Sequence, residues 1–242
     1  MSHIQWHIGC SGFHYKEWKG VFYPEKLAAT KWFEYYCQHF NTLELNVTFY
    51  RFPQLKTLQG WHTRSPDGFL FAVKAPRLVT HYKKFDGTAD LLHDFYSTIA
   101  EGLREKLGFV LFQLPPQLAY SDTLLQRIIE SLDGSFSNTV EFRHESWWKP
   151  EVYSRLAGHN ISFCGHSHPR LPDSVIMNTE QLYYRFHGVP ELYRSAYPES
   201  KLEELAEQVL QNKKVKSAHI YFNNTAGPAA LANARWLINR VQ

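Results

Sequence analysis

Eight short apolar segments recur along this chain, and most are followed by a stretch with the spacing of an amphipathic helix. The segments are residues 6–10, 42–49, 69–75, 109–114, 139–144, 161–166, 182–187 and 218–223. Between them, Leu91, Leu92, Phe95, Ile99 and Leu103 form one helical stripe. Leu124, Leu125, Ile128, Ile129 and Leu132 form a second, and Leu202, Leu205, Val209 and Leu210 a third. Such 3.6-residue periodicity is the mark of a helix with one buried face. Strands that alternate with helices pair in parallel, because a parallel neighbour needs a long crossover to reach it. Eight such units closing on themselves give an α/β fold, a TIM-like (β/α)8 barrel of parallel strands. An open doubly wound sheet would carry G-x-G-x-x-G at its first turn, and that turn here reads GCSGF.

The interval after the sixth segment, SHPRLPDSVIMNTEQ, is rich in proline and weakly periodic, so its helix is expected to be short or missing. No repeat, low-complexity run or linker interrupts the pattern. One domain spanning 1–242 is the expectation.

Side chains alternate faces along a strand. In the second segment Leu43, Leu45 and Val47 oppose Glu44, Asn46 and Thr48. In the third, Phe69, Phe71 and Val73 oppose Leu70, Ala72 and Lys74. Gln113, the penultimate residue of the fourth segment, shares the face of Leu111, and Glu141 and Arg143 share a face in the fifth. Tyr183, Arg185 and His187 share one in the seventh, as do His219, Tyr221 and Asn223 in the eighth. One face of each strand is apolar and suits packing under helices. The other turns polar toward the strand's C-terminal end, which in a barrel places it on the axis near the mouth. Burying an unpaired charge costs several kcal/mol, and branched apolar residues are the usual filling of such an axis. A ring of charged side chains there points to a ligand site, or else to an internal salt network.

Lys74, Arg143 and Arg185 contribute three fixed cations to this ring against the carboxylates of Glu44 and Glu141, and His187 can add a further charge. A net positive pocket suits a small anionic molecule carrying a carboxylate or phosphate, which arginine grips bidentately. The same sum argues against a divalent metal, and no cofactor is expected. The set that would hold a metal is the H-x-H at 166–168 with Glu44, Glu141 and His187.

The whole chain excludes several other classes. Its formal net charge is only +3, so nucleic acid is neither demanded nor excluded. The three cysteines, Cys10, Cys37 and Cys164, form no CxxC pair, which disfavours zinc ribbons and redox dithiols. No apolar run of membrane-spanning length occurs, and MSHIQWHIGC is not a secretory leader. A cytoplasmic location follows as the expectation.

The motifs IGCSGFHYKEW, LELNVTFYRFP, FLFAVKAPRLVTH, FQLPP, VEFRHESWW, YYRFHG and YFNNTAGPAALANA, in that order, resemble the DUF72 (YecE-like) family. The resemblance runs from about residue 7 to residue 238. It implies a TIM-barrel fold distantly similar to sugar isomerases, and it implies no established activity. The positions it carries over are Glu44, Asn46, Phe49, Tyr50, Lys74, His81, Gln113, Glu141, Arg143, Trp147, Arg185, His187, Gly188, Asn223 and Asn224. Family members often have an acidic residue after the sixth strand, where this chain reads CGHSHP.

Taken together, Glu44, Glu141, His187 and Lys74 are the expected catalytic groups. Glu141 or Glu44 would be the general base and His187 its acid–base partner, with Lys74, Arg143 and Arg185 steadying developing oxyanions. The carboxylates nearby are expected to keep Lys74 protonated. Asn46, Tyr50, Gln113, Arg143, Trp147, Arg185, Asn223 and Asn224 would bind substrate. Backbone amides near Gly188 and Gly227 are the expected anion cradle. The leading reading is an enzyme of isomerase or lyase type acting on a small anionic polyol. A phosphate-binding or nucleic-acid-processing barrel and a non-catalytic barrel with an internal salt network stand beside it.

Overall fold

A computed structural model describes residues 4–242. The strand segments are β1 (Gln5–Ser11), β2 (Thr42–Leu45), β3 (Leu70–Lys74), β4 (Leu107–Gln113), β5 (Ser137–Glu141), β6 (Ile161–Phe163), β7 (Gly165–Ser167), β8 (Gln181–Phe186) and β9 (Ser217–Phe222). They lie in the order β6-β5-β4-β3-β2-β1-β9-β8-β7, and each neighbouring pair is parallel. The two ends of that order, β6 and β7, are halves of one strand interrupted at Cys164. The sheet is therefore a nearly closed barrel, with the chain itself carrying it across the gap.

The longer helices are α1 (Trp32–Cys37), α3 (Leu55–Arg64), α4 (Ala89–Leu103), α5 (Asp122–Ser131), α6 (Pro150–Ala157), α7 (Glu199–Gln211) and α8 (Ala229–Val241), with a single turn, α2 (Val47–Tyr50), after β2. The expected stripes are their buried faces: Leu92, Phe95, Ile99 and Leu103 of α4, Leu124, Leu125, Ile128 and Ile129 of α5, and Leu202, Leu205 and Val209 of α7. Leu210 falls off its stripe and is half exposed. Local signals set the helix starts. Ser121 accepts a hydrogen bond from the Leu124 amide at the start of α5, and Pro150 opens α6, where its missing N–H is not needed.

The expected second strand ran to residue 49, but β2 stops at Leu45. The Thr48 hydroxyl bonds back to the Leu45 carbonyl at 3.0 Å and to the Lys74 carbonyl at 2.6 Å, pulling the chain into α2.

No helix follows β7, as the proline-rich interval suggested. Residues 168–180 run back over the outside of the sixth strand, with Val175, Ile176 and Met177 against the core and an antiparallel bridge between His166 and Ser174. Asn178 completes the seam where β6 lacks a ladder on one side. Its side-chain oxygen accepts from the Phe163 amide at 2.8 Å and its nitrogen donates to the Ile161 carbonyl at 3.0 Å.

Alternation divides the apolar residues into two bodies. Ile8, Leu43, Leu45, Phe71, Val73, Val110, Phe112, Val140, Tyr184, Phe186, Ile220 and Phe222 face the helices in one continuous outer core. Ala72, Phe109, Leu111, Cys164, Tyr183 and Tyr221 form a separate cluster inside the barrel. Each large apolar side chain so buried contributes about 1.5–3 kcal/mol. Below the inner cluster His7 and His219 stack at 4.5 Å, with Phe109 edge-on to His219 at 4.8 Å. The axis is thus plugged from below, and the polar ring lies above the plug.

Among the described residues, no helix is long and apolar enough to cross a membrane.

Candidate active site at the barrel mouth

Glu44, Lys74, Gln113 and Glu141 stand at or next to the last residue of their strands, and Arg185 is the penultimate residue of β8. Arg143, His187 and Asn223 follow within two residues of strand ends. Arg185 is the hub. Its Nη1 donates to Glu141 Oε2 and its Nη2 to Glu44 Oε1, each at 2.6 Å. Tyr183 OH donates to the other Glu44 oxygen at 2.6 Å. Arg143 Nε donates to Glu141 Oε1, and Arg143 Nη2 lies 3.0 Å from His187 Nε2. A continuous network Tyr183–Glu44–Arg185–Glu141–Arg143–His187 therefore crosses the barrel. Glu44, Glu141, Arg185 and His187 are buried within it, whereas Arg143 keeps partial exposure at the rim.

Guanidinium nitrogens only donate, so His187 Nε2 must accept and the imidazole proton sits on Nδ1. The Asn223 amide lies 2.9 Å from Nδ1. With a proton there, the amide must present its oxygen to the ring, an orientation set by the hydrogen-bond logic.

Protonation departs from expectation at two positions. Burial, then the Arg143 charge, pushes His187 well below the usual imidazole range, so it adds no positive charge. Burial, then the Arg185 charge, brings Lys74 down to about 7, outweighing the carboxylates that were expected to keep it protonated. Lys74 Nζ donates to Gln113 Oε1 at 2.6 Å and lies 4.3 Å from the centre of the Phe49 ring. For Glu141, burial alone would raise the carboxyl, but Arg143 and Arg185 together hold it well below the ordinary range. The expected surplus of fixed cations shrinks accordingly. Two guanidiniums balance two carboxylates, and Lys74, brought down to about 7, carries the only further charge of the ring.

The remaining expected positions divide. Asn46 follows β2 with its side-chain oxygen buried and unpartnered. Tyr50 is 66 % exposed beside the mouth, where Arg77 lies between Tyr50 and Tyr82 at 5.7 and 5.5 Å from the ring centres. Trp147 does not reach the site. It is fully buried outside the barrel wall, stacked on Phe142 at 4.1 Å, with Nε1 donating to the Leu118 carbonyl. Asn224 is likewise structural, donating to the Ser195 carbonyl and to Asn233 Oδ1. The expected anion cradle is also partly taken, because the Gly188 amide donates to Tyr197 OH at 2.8 Å. Alternation placed Tyr183 on the face of Arg185 and His187, but it did not mark Cys164 as a partner of the network. Cys164 Sγ nevertheless lies 3.7 Å from Glu141 Oε2.

A groove of about 770 Å³ opens at the other end of the barrel, lined by Trp6, His7, His39, Asn41, Asp67 and Ile238 among others. It is wide but carries no converging charge network. The charged side chains that meet one another lie at the C-terminal mouth, the end at which barrel enzymes build their sites.

The whole barrel has solved counterparts. A DUF72 family protein of Thermotoga maritima superposes with a TM-score of 0.89 at 30 % identity, covering 98 % of this chain and 99 % of its own. A DUF72 family protein of Enterococcus faecalis gives 0.83 at 17 % identity over 98 % and 95 %. The UPF0759 protein YunF of Bacillus subtilis is 26 % identical over 89 % of this chain and 88 % of its own length. Residues 7–242 match the family described as protein of unknown function DUF72, and the chain belongs to that family.

Proposed function

We propose that the barrel mouth binds a small anionic polyol, a sugar phosphate or sugar acid, and that Lys74 exchanges a proton with it. The observation that carries this reading is Lys74 itself. Its amine is brought to about 7 by burial and held in place by Gln113, with Arg143 close enough to act on its charge. A base poised near neutrality is the usual requirement for abstracting a proton next to a carbonyl. Arg143, partly exposed and anchored by Glu141, would steady the oxyanion that develops. Glu44 and Glu141, expected as bases, are better suited to holding the two arginines, since all four of their oxygens accept hydrogen bonds from Arg185, Arg143 or Tyr183. His187, with Nε2 accepting from Arg143, aligns that guanidinium.

The ligand's charge follows from the balance already described. With carboxylates and guanidiniums paired, a protonated Lys74 has no counter-charge of its own, and an anion supplies one. A thermal-shift panel of sugar phosphates and sugar acids tests the reading. At least one class should raise the melting temperature of the wild type and lose that effect in Arg143→Gln. Solvent deuterium should enter a C–H of the stabilising compound at a rate that Lys74→Met abolishes. If no compound stabilises the protein, or if Arg143→Gln keeps the full shift, the reading is wrong.

A second reading rests on Arg77, held between the exposed rings of Tyr50 and Tyr82 beside the mouth. Exposed aromatics interleaved with a cation form a platform on which nucleic-acid bases stack. Salt-dependent binding of a single-stranded oligonucleotide, lost in Tyr50→Ala, would favour it.

A further inference from the structure

Residues 164–168 read Cys-Gly-His-Ser-His along the sixth strand and just past it. Alternate residues of an extended strand point the same way, so Cys164 and His166 both turn inward, where Cys164 joins the inner cluster. One donor atom from each of Glu141, Cys164 and His166 lies within 4.8 Å of the others, and all three residues are fully buried. Neither ring nitrogen of His166 has a hydrogen-bond partner. A buried polar group left unmet is destabilising, and the imidazole is unmet at both ring nitrogens. Its ring neighbours do not relieve it. Trp148 stands edge-on at 5.2 Å, and His187 and His168 lie at 5.7 and 6.0 Å between ring centres.

We propose that Cys164, His166 and Glu141 form a site for a borderline-soft divalent cation of the zinc class. Thiolate, imidazole and carboxylate together are the donor set that zinc and cobalt take up, and that calcium and magnesium decline. Donors around a tetrahedral zinc stand roughly 3.3–3.8 Å apart, given metal–ligand bonds of about 2.0–2.3 Å. The Cys164–Glu141 separation of 3.7 Å already meets this, and a His166 nitrogen lies within 4.8 Å of both donors.

Arg143 and Arg185, both bonded to Glu141, oppose an incoming cation. Metal uptake answers this by expelling the Cys164 proton: the divalent ion and the thiol become a metal thiolate and one free proton. The thiolate and Glu141 together cancel the ion's two charges and Glu44 balances Arg185, so the one charge left over is that of Arg143 at the partly exposed rim. The two arginines then orient the Glu141 ligand from behind, as outer partners of metal ligands do. The site is independent of whether Lys74 moves a proton.

The test uses the full chain, stripped with chelator and titrated with cobalt(II) and then zinc. The expected result is one cobalt per chain, with a thiolate-to-cobalt charge-transfer band in the near ultraviolet that zinc displaces, and a zinc-dependent rise in melting temperature. Cys164→Ser should abolish the band, whereas Cys37→Ser should keep it. His166→Asn should weaken binding at least about 100-fold, since changing an outer partner alone costs about 10–100-fold. If Cys164→Ser does not fold, His166→Asn and the wild-type thermal shift still decide. Absence of uptake in excess zinc overturns the proposal, as does a cobalt band unchanged by both His166→Asn and Cys164→Ser.

Discussion

Arg185 and Glu44, 141 positions apart in sequence, meet across the barrel axis at 2.6 Å with both side chains buried. The guanidinium is shared with Glu141 on its other terminal nitrogen, so one cation bridges two carboxylates taken out of water. Arg185→Met would leave both carboxylates buried without it, and such a broken buried pair costs about 3–5 kcal/mol. Adding Glu44→Gln should recover part of the loss, because one of the stranded charges is then gone. Urea unfolding of the two variants measures this. A single-variant loss below about 1 kcal/mol would mean the network is mostly solvated.

Lys74 makes stability depend on pH in a defined direction. Its folded pKa of about 7 lies below the 10.5 of a free lysine. Below about pH 7 the amine is charged in both folded and unfolded chains, and the full cost of burying it is present. Above that, the folded chain sheds the proton while the unfolded chain keeps it, so the cost falls by roughly 1.4 kcal/mol per pH unit until about 10.5. Lys74→Met removes the term. Its stability advantage over wild type should be largest near pH 6 and should shrink by about pH 9. An advantage independent of pH would place the lysine in contact with solvent.

The same amine couples ligand binding to protons. An anion seated beside Lys74 favours its charged form, so binding should take up a proton above about pH 7, and affinity should fall as pH rises further. Calorimetry in buffers of different ionisation enthalpy reads the uptake directly. It should vanish in Lys74→Met, even if weak binding through Arg143 remains.

Asn178 stands in for a missing strand neighbour, pairing with both the Phe163 amide and the Ile161 carbonyl. Asn178→Ala leaves these two backbone groups unmet, with an expected cost of about 1–3 kcal/mol. Hydrogen exchange should accelerate first at Phe163. Equal acceleration across β8 and β9 would indicate global loosening instead.

Trp147 packs on Phe142 and Phe142 on Phe163, outside the wall. Trp147→Ala should cost about 3–5 kcal/mol of stability, while leaving the affinity of any ligand that requires Arg143 within a few-fold. A selective loss of affinity at unchanged stability would return Trp147 to the site.

The placement of Glu44, Lys74, Gln113, Glu141 and Arg185 was legible in the sequence because a strand's two-residue alternation is local geometry. Their convergence follows once eight such strands close. Trp147 was not legible, because it sits in the turn after β5, where no periodicity fixes a side chain's direction. The state of Lys74 was not legible either. It depends on how completely surrounding residues bury it, and counting nearby carboxylates pointed the wrong way. Asn178 looked like one polar residue in an irregular run, since its partners become neighbours only when residues 168–180 fold back. Cys164 entered the sequence reading only as a cysteine without a CxxC partner, and its 3.7 Å approach to Glu141 gives it another meaning.

Outside β6 the wall is backed by α6, where Tyr153 stands edge-on to Phe163, whereas outside β7 the backing is the irregular run that brings Ser174 against His166. Cys164 links the two halves and His166 follows in the second, so both soft donors sit where the wall passes from helix backing to loop backing. Glu141, the third donor, ends a strand paired with neighbours on both sides.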